Sequence, residues 1–153
     1  MHKVFDSIFE NSLRILLLLN EFETEQNIDT IYVTDFISLY SNDFGISQKN
    51  LNGDNNYKFS EFASKRQLIQ ETLKYLVFKE LVLVVSDDLG IKYKINEESK
   101  TYCETLDSDY ANEYRINASK AISYLNSKSL RAVVKEINSM SLKRDLTVWR
   151  DFL

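Results

Sequence analysis

Acyl-transfer chemistry of the Ser/His or Cys/His type needs an imidazole on a rigid element. The single histidine, His2, lies where a chain is most prone to fray. A tetrahedral zinc site draws on a set of Cys and His donors, which His2 and the lone Cys103 do not supply. The glycines Gly45, Gly53 and Gly90 stand apart, so there is neither a phosphate-cradling loop nor a dinucleotide fingerprint. Carboxylates can support metal-dependent hydrolysis, and two groupings invite inspection. Asp87 and Asp88 fall between strand-like runs, where aspartates serve the hydrogen bonding of a turn. Asn50, Asn52 and Asp54, with Glu61 in the twelfth place, partly imitate a calcium loop. Asn55 stands where that loop needs glycine, and its first ligand is not acidic, so the segment reads as a polar loop. Cys103, with Tyr102 and Glu104 beside it and no neighbouring cation, reads as a small buried hydrophobe. The expectation is a chain that is not an enzyme and carries no cofactor or metal.

Cations come in two sets. Lys65, Arg66 and Lys74 on one helical segment, with Lys92 and Lys94 on a following alternating run, are candidates for contact with DNA phosphates. Glu61, Glu71 and Glu80 interleave with them, and Glu71 is within helical reach of Lys74, as on a solvated ion-pair surface. Lys128, Arg131, Lys135, Lys143, Arg144 and Arg150 form the second set, suited to DNA, an acidic partner or water. With 19 Lys and Arg against 23 Asp and Glu, the net charge is -4. That removes the bulk basicity of a protein that coats nucleic acid.

The elements that position these residues follow from 153 residues, 44% hydrophobic and 27% charged, with no proline. This length and composition suit one globular domain, burying roughly 70% of its unfolded surface. One cysteine suits a reducing compartment, and the cytoplasm is expected. The apolar run Leu13 to Leu19 follows Asp6 and Glu10 without a cleavage site, so it is not read as a signal peptide. It is also shorter than the ~20 residues that span a bilayer.

Phe5, Ile8, Phe9, Ser12, Leu13, Leu16 and Leu19 recur at helical spacing, and Ile15, Leu17 and Leu18 widen the stripe. This predicts the central core helix, or one with a side covered by a partner. A second helix is expected at 29–41, capped by Asp29 or Thr30, and a third at 60–79 after a long polar connection over 41–60. Leu81 to Val85, the turn residues Ser86 to Gly90 and the alternating Ile91 to Ile95 predict a hairpin. Ile91, Tyr93 and Ile95 are expected to face the core, and Lys92 and Lys94 water. Helices at 97–106, 108–126 and 129–141 follow, the last capped by Ser129. The tail from Lys143 spaces Leu146, Trp149 and Phe152 for docking.

The predicted fold class is therefore mainly α with minor β: a winged-helix-like core of three helices and a β-hairpin wing, extended by C-terminal helices. Residues 1–126 would form the domain with its following helix, and 127–153 the extension.

Asp35 Phe36 and Tyr40 Ser41 Asn42 Asp43 Phe44 Gly45 resemble a "DY…HSGDFGG" element, and Ser60 to Arg66 is similar to "GELLVRR". Lys79 Glu80 Leu81 Val82 resembles "RGLV", Gly90 to Tyr93 resembles "GIRY", and Leu106 to Tyr110 with Tyr114, Arg115 and Ala118 resembles "LxSxY…LRxRA". Together, over about 5–126, these resemble the middle component of bacterial ABC-type three-component systems, which overlaps the small subunit of Lamassu anti-phage operons. The prolines and histidine of that family's loop are absent here, with Ser47 to Asn56 in their place. The resemblance implies a non-catalytic accessory subunit working with an SMC-like or RecN-like ABC ATPase and an effector, often a nuclease. Double-stranded DNA is a further candidate partner within the complex, and no membrane is implied. Trp149, Phe152, Leu146, Asp43 and Phe44 are the candidate partner-interface residues, with the surplus apolar face of the first helix. Two other functions fit the residues, a free-standing DNA-binding transcription regulator and a metal-dependent hydrolase using Asp87 or Asp54.

Overall fold

The computed structural model describes residues 2–51, 53, 58–59 and 61–152, with the side chains of 2–7, 144–149, 151 and 152 left undescribed. The first helix, α1, runs His2–Glu21 and buries the continuous run Ile15 to Leu19. The helix buried along nearly its whole length is the second, α2 (Ile28–Leu39), in which every residue from Ile31 to Leu39 is buried. The core is thus centred on α2, where the width of the α1 stripe had pointed to α1. Its cap also differs from expectation: the Asn27 side chain accepts from the Thr30 amide at 2.9 Å. Asn27 can do so because it has extended backbone one residue before the helix.

The buried stretch of such a helix has to satisfy its polar side chains internally. Thr34 donates to the Thr30 carbonyl at 2.6 Å and Ser38 to the Thr34 carbonyl at 2.7 Å. Asn117 donates to the Ser38 carbonyl at 3.2 Å, joining α2 to α5 (Asp109–Asn126). Ala111, Ala118 and Ala121, buried on α5, are small enough to let the two helix backbones approach.

The connection after α2 is only partly the polar loop expected. A 3-10 turn over Ser41–Phe44 ends at Gly45 in the left-handed region (φ 71°), and Phe44 and Phe59 enter the core. Phe36 receives both, with ring centroids 6.2 and 5.8 Å away. Helix α3 (Phe62–Phe78) then packs Phe62 against Tyr32 at 4.8 Å and buries Ile69, Leu73 and Leu76.

Two hydrogen bonds stop α3, from the Glu80 amide to the Val77 carbonyl (2.9 Å) and from the Leu81 amide to the Leu76 carbonyl (3.0 Å). This is the Schellman pattern. Its left-handed residue is Glu80, with φ 62°, where glycine is usual. The hairpin follows, β1 (Val82–Asp87) antiparallel to β2 (Gly90–Ile95), with Val82 opposite Ile95 and Val84 opposite Tyr93. Asp87 accepts from the Leu89 amide at 2.8 Å, so this aspartate serves the turn as expected.

Gln26, between α1 and α2, exchanges two backbone hydrogen bonds with Tyr93, at 3.0 and 2.8 Å. The α1–α2 connection is therefore held to the outer side of β2 by a single bridge. Three helices and a two-stranded wing, in that chain order, make a winged-helix-like core within a mainly helical chain.

Alternation in β2 holds only near its base. Ile95 is buried and Tyr93 half-buried, but Ile91, on the same face, is 56% exposed because the wing projects past the body. Lys92, expected in water, is half-buried and Lys94 is exposed. Helix α4 (Glu97–Glu104) is capped by Asn96, and its Ser99 donates to the Leu81 carbonyl at 2.7 Å. Ser129 caps the last helix as expected, accepting from the Ala132 amide at 3.1 Å. That helix, α6 (Leu130–Phe152), runs on through the expected tail, since no glycine or proline between 130 and 152 interrupts it.

Candidate functional site

Three helices deliver one polar cluster to the middle of the chain. Asp35 of α2 receives Arg14 of α1 through two bonds, Nε to Oδ1 at 2.7 Å and Nη2 to Oδ2 at 3.0 Å. The Tyr114 hydroxyl of α5 donates to the same Oδ1 at 2.7 Å. Arg14 also donates to Asn11. Burial opposes the Arg14 charge, yet the charge and hydrogen bond of Asp35 outweigh it and hold the guanidinium protonated well above its ordinary range. Burial, then the Asp35 charge, raise the Tyr114 hydroxyl well above the usual tyrosine value. A paired carboxylate and guanidinium with a phenol locked onto them bind α1, α2 and α5 together. Sequence reasoning did not single out this cluster. Its one local signal was an aspartate inside the apolar run Ile31 to Leu39.

The expected DNA-contacting cations have different settings. Lys65 turns inward, its Nζ 5.1 Å from the Tyr40 ring centre, and burial lowers its pKa against the pull of Asp35. Arg66 pairs with Asp29 at 2.8 Å and Lys92 with Asp87 at 3.6 Å. Lys74 and Lys94 are exposed. Among the described residues no ion pair joins Glu71 to Lys74. Lys128, in the second basic set, pairs with Glu136 at 3.5 Å and lies 4.4 Å from the Tyr124 ring centre.

Of the expected interface residues, Phe44 is 9% exposed and packs edge-on against Phe36 and Tyr124. Asp43 pairs at 2.6 Å with Lys58, an ammonium that lies 1% exposed between Tyr40 and Phe59. Both side chains are therefore engaged inside the chain. The side chains of Leu146, Trp149 and Phe152 lie outside the described residues.

Asn50 accepts from the Asn42 amide at 2.9 Å and donates to Asp43 at 3.3 Å, which gives it a role in the loop. Asn52, Asp54 and Asn55 lie outside the described residues. Among the described residues no group of three or more His, Cys, Asp or Glu side chains could hold a metal ion. Cys103 is buried, and burial, opposed by Arg115, pushes its thiol up to about 11. Arg115 in turn donates to the Cys103 carbonyl at 2.6 Å, fixing the α4–α5 corner.

Several large apolar side chains are exposed. Phe78 ends α3 at 81% exposed, Leu89 tips the wing at 84%, and Leu83, Val84 and Ile91 lie open on its strands. Across the α1, α3 and α4 junction, Phe9, Tyr75 and Tyr102 ring a groove of about 250 Å³ floored by Leu13, Leu16 and Leu76. Large exposed apolar patches on a folded chain mark surfaces that other molecules cover.

Fold and surface together describe a winged-helix-like module with an internally locked polar centre and exposed apolar side chains on its wing, at the end of α3 and around the groove. The sequence model of the ABC-three component (ABC-3C) system Middle Component 2 family matches residues 4–145, and the chain belongs to that family. No curated protein matches the chain, and no solved structure matches it. As a middle component, the chain is an accessory part of a multi-component system and has partner proteins. Among the described residues no helix is long and apolar enough to cross a membrane.

Proposed function

We propose that this chain is a non-catalytic adaptor in a bacterial anti-phage defence complex. It links an SMC-like or RecN-like ABC ATPase to an effector such as a nuclease, as the small subunit of Lamassu-like systems does. The complex works in the cytoplasm, where invading double-stranded DNA is met. Family membership over residues 4–145 carries this reading. The apolar residues Phe9, Tyr75, Tyr102, Phe78 and Leu89, which the chain leaves uncovered, support it by supplying the material of protein interfaces.

The test is co-expression of the tagged chain with the products of its neighbouring genes. An adaptor is recovered in stoichiometric complex with a coiled-coil ATPase, whereas a chain that stays alone beside them at micromolar concentration refutes the proposal. A second reading, a winged-helix transcription regulator, draws on the exposure of Lys74 and Lys94. It requires salt-dependent duplex binding by the isolated chain that is lost on charge reversal of Lys74 and Lys94.

A further inference from the structure

The apolar stripe of α1 is wider than the core needs, and its surplus has a definite place. Phe9, 59% exposed, and the half-buried Leu13 face a groove whose other walls are α3 and α4. Tyr75 at 36% and Tyr102 at 42% complete the rim, and Leu16, Leu76 and Leu81 lie beneath. At about 250 Å³ the groove is smaller than the ~300–1,000 Å³ of small-molecule pockets, and it suits inserted side chains.

Its walls decide what kind of backbone can dock. The walls are helices, whose main-chain hydrogen bonds close within themselves, and Leu81, which lies between α3 and β1, has its amide bonded to Leu76 and its carbonyl to Ser99, so the groove offers no strand edge for an incoming β-strand. Only side-chain anchors can hold an occupant there, which is the helix-in-groove mode, read by apolar residues one turn apart. Charge then narrows the choice. Glu98 is the one carboxylate lining the groove among the described residues, and no cation lines it. Its neighbour Glu97 is already paired with Lys100 at 3.2 Å, whereas Glu98 makes no ion pair among the described residues. Lys79, close by, lies over the Tyr75 ring at 5.7 Å. An occupant with a basic residue beside its apolar stripe satisfies Glu98. A second copy of a chain with net charge -4 meets general repulsion instead.

Resting on the adaptor reading, we infer that this groove is where the ATPase component docks, through an amphipathic helix whose apolar stripe enters between Phe9, Tyr75 and Tyr102. A Lys or Arg of that helix pairs with Glu98.

Purified full-length chain and the ATPase component from the neighbouring gene are measured by biolayer interferometry. Tyr102→Ser and Glu98→Lys each weaken binding at least tenfold, while Ile116→Ser, on an exposed part of α5, leaves it unchanged. Unchanged thermal unfolding of the variants shows that they fold. A photoreactive p-benzoylphenylalanine in place of Tyr102 then cross-links to a helical segment of the ATPase that carries Lys or Arg. A stable complex indifferent to both groove variants overturns this inference and leaves the adaptor reading standing. So does a cross-link to an extended or acidic segment, or to a second copy. A wild-type chain that binds no ATPase overturns both.

Discussion

Glu80→Gly should make this protein more stable, although it removes a side chain and adds nothing. Glu80 holds φ 62° at the end of α3, where its amide and that of Leu81 close the helix. An L-residue with a Cβ pays roughly 1–2 kcal/mol in that region. Glycine escapes this but loses more backbone freedom on folding, which returns about 0.4–1 kcal/mol. The net gain is about 0.5–1 kcal/mol, or ~1–4 °C in Tm for a chain of this size. The glutamate side chain has little to lose, being exposed and without a hydrogen bond or ion pair among the described residues. The turn itself should survive the change, because Asn96 Nδ2 holds the carbonyl of residue 80 at 2.5 Å whatever the side chain. The "RGLV" pattern that this stretch resembles has glycine at this place. Urea and thermal denaturation provide the assay, with a raised midpoint at unchanged m. Glu80→Ala removes the carboxylate and its methylene but keeps the Cβ, so it should bring no such gain. If Glu80→Gly lowers the midpoint, or Glu80→Ala raises it equally, backbone strain is not what Glu80 costs.

Asp35→Ala strands the buried Arg14 and Tyr114 groups together and should cost about 3–5 kcal/mol in urea denaturation. The Asp43–Lys58 pair should respond asymmetrically. Lys58→Met removes a buried ammonium and leaves a partly hydrated carboxylate, for a change within ~1 kcal/mol, whereas Asp43→Ala takes away the carboxylate 2.6 Å from a buried ammonium and gives the larger loss. Equal losses in denaturation midpoint would contradict this. Cys103 should resist aromatic disulfide reagents at pH 8 in the folded chain and react once urea unfolds it. Because burial pushes the folded thiol up to about 11, above the ordinary 9.0, the folded state keeps a proton that the unfolded state loses between those values. Stability contributed by the buried thiol is therefore present below pH 9 and lost as pH rises toward 11, and Cys103→Ala should shallow that decline in thermal melts.

Local patterns were the most legible part of this chain. The β-branched run and the alternation after Gly90 marked both strands, since pairing across a two-residue turn depends on neighbours in sequence. Ser129 and the helical stripes were equally plain. What escaped depends on distance. Asp35 meets a partner 21 residues back and another 79 ahead, and no spacing rule connects them. Lys58 looked like part of a polar loop because its carboxylate, Asp43, stands fifteen positions earlier, beyond any helical or strand period. Ile91 alternated correctly but lay past the edge of the body, which periodicity alone does not reveal. For the candidate cations, residue type placed Lys65, Arg66 and Lys92 on a phosphate-binding surface, and the neighbours that tertiary packing gives them, Tyr40, Asp29 and Asp87, follow no sequence period.

That redistribution of charge bears on how a winged-helix-like core can serve an accessory component. A DNA-reading version needs its third helix and wing to keep cations free for phosphate, because counterion release supplies most of the affinity. Here Arg66 and Lys92 are neutralised within the chain, Lys65 is turned inward, and the wing ends in Leu89 and Ile91. Each internal ion pair reduces the attraction to a polyanion, and each exposed aliphatic residue increases the gain from covering that face with protein. The same surface cannot be tuned for both. If the wing meets protein, replacing Leu89 and Ile91 with serine should leave duplex binding unchanged and weaken assembly of the complex. A loss of duplex binding with assembly intact would return the wing to nucleic acid.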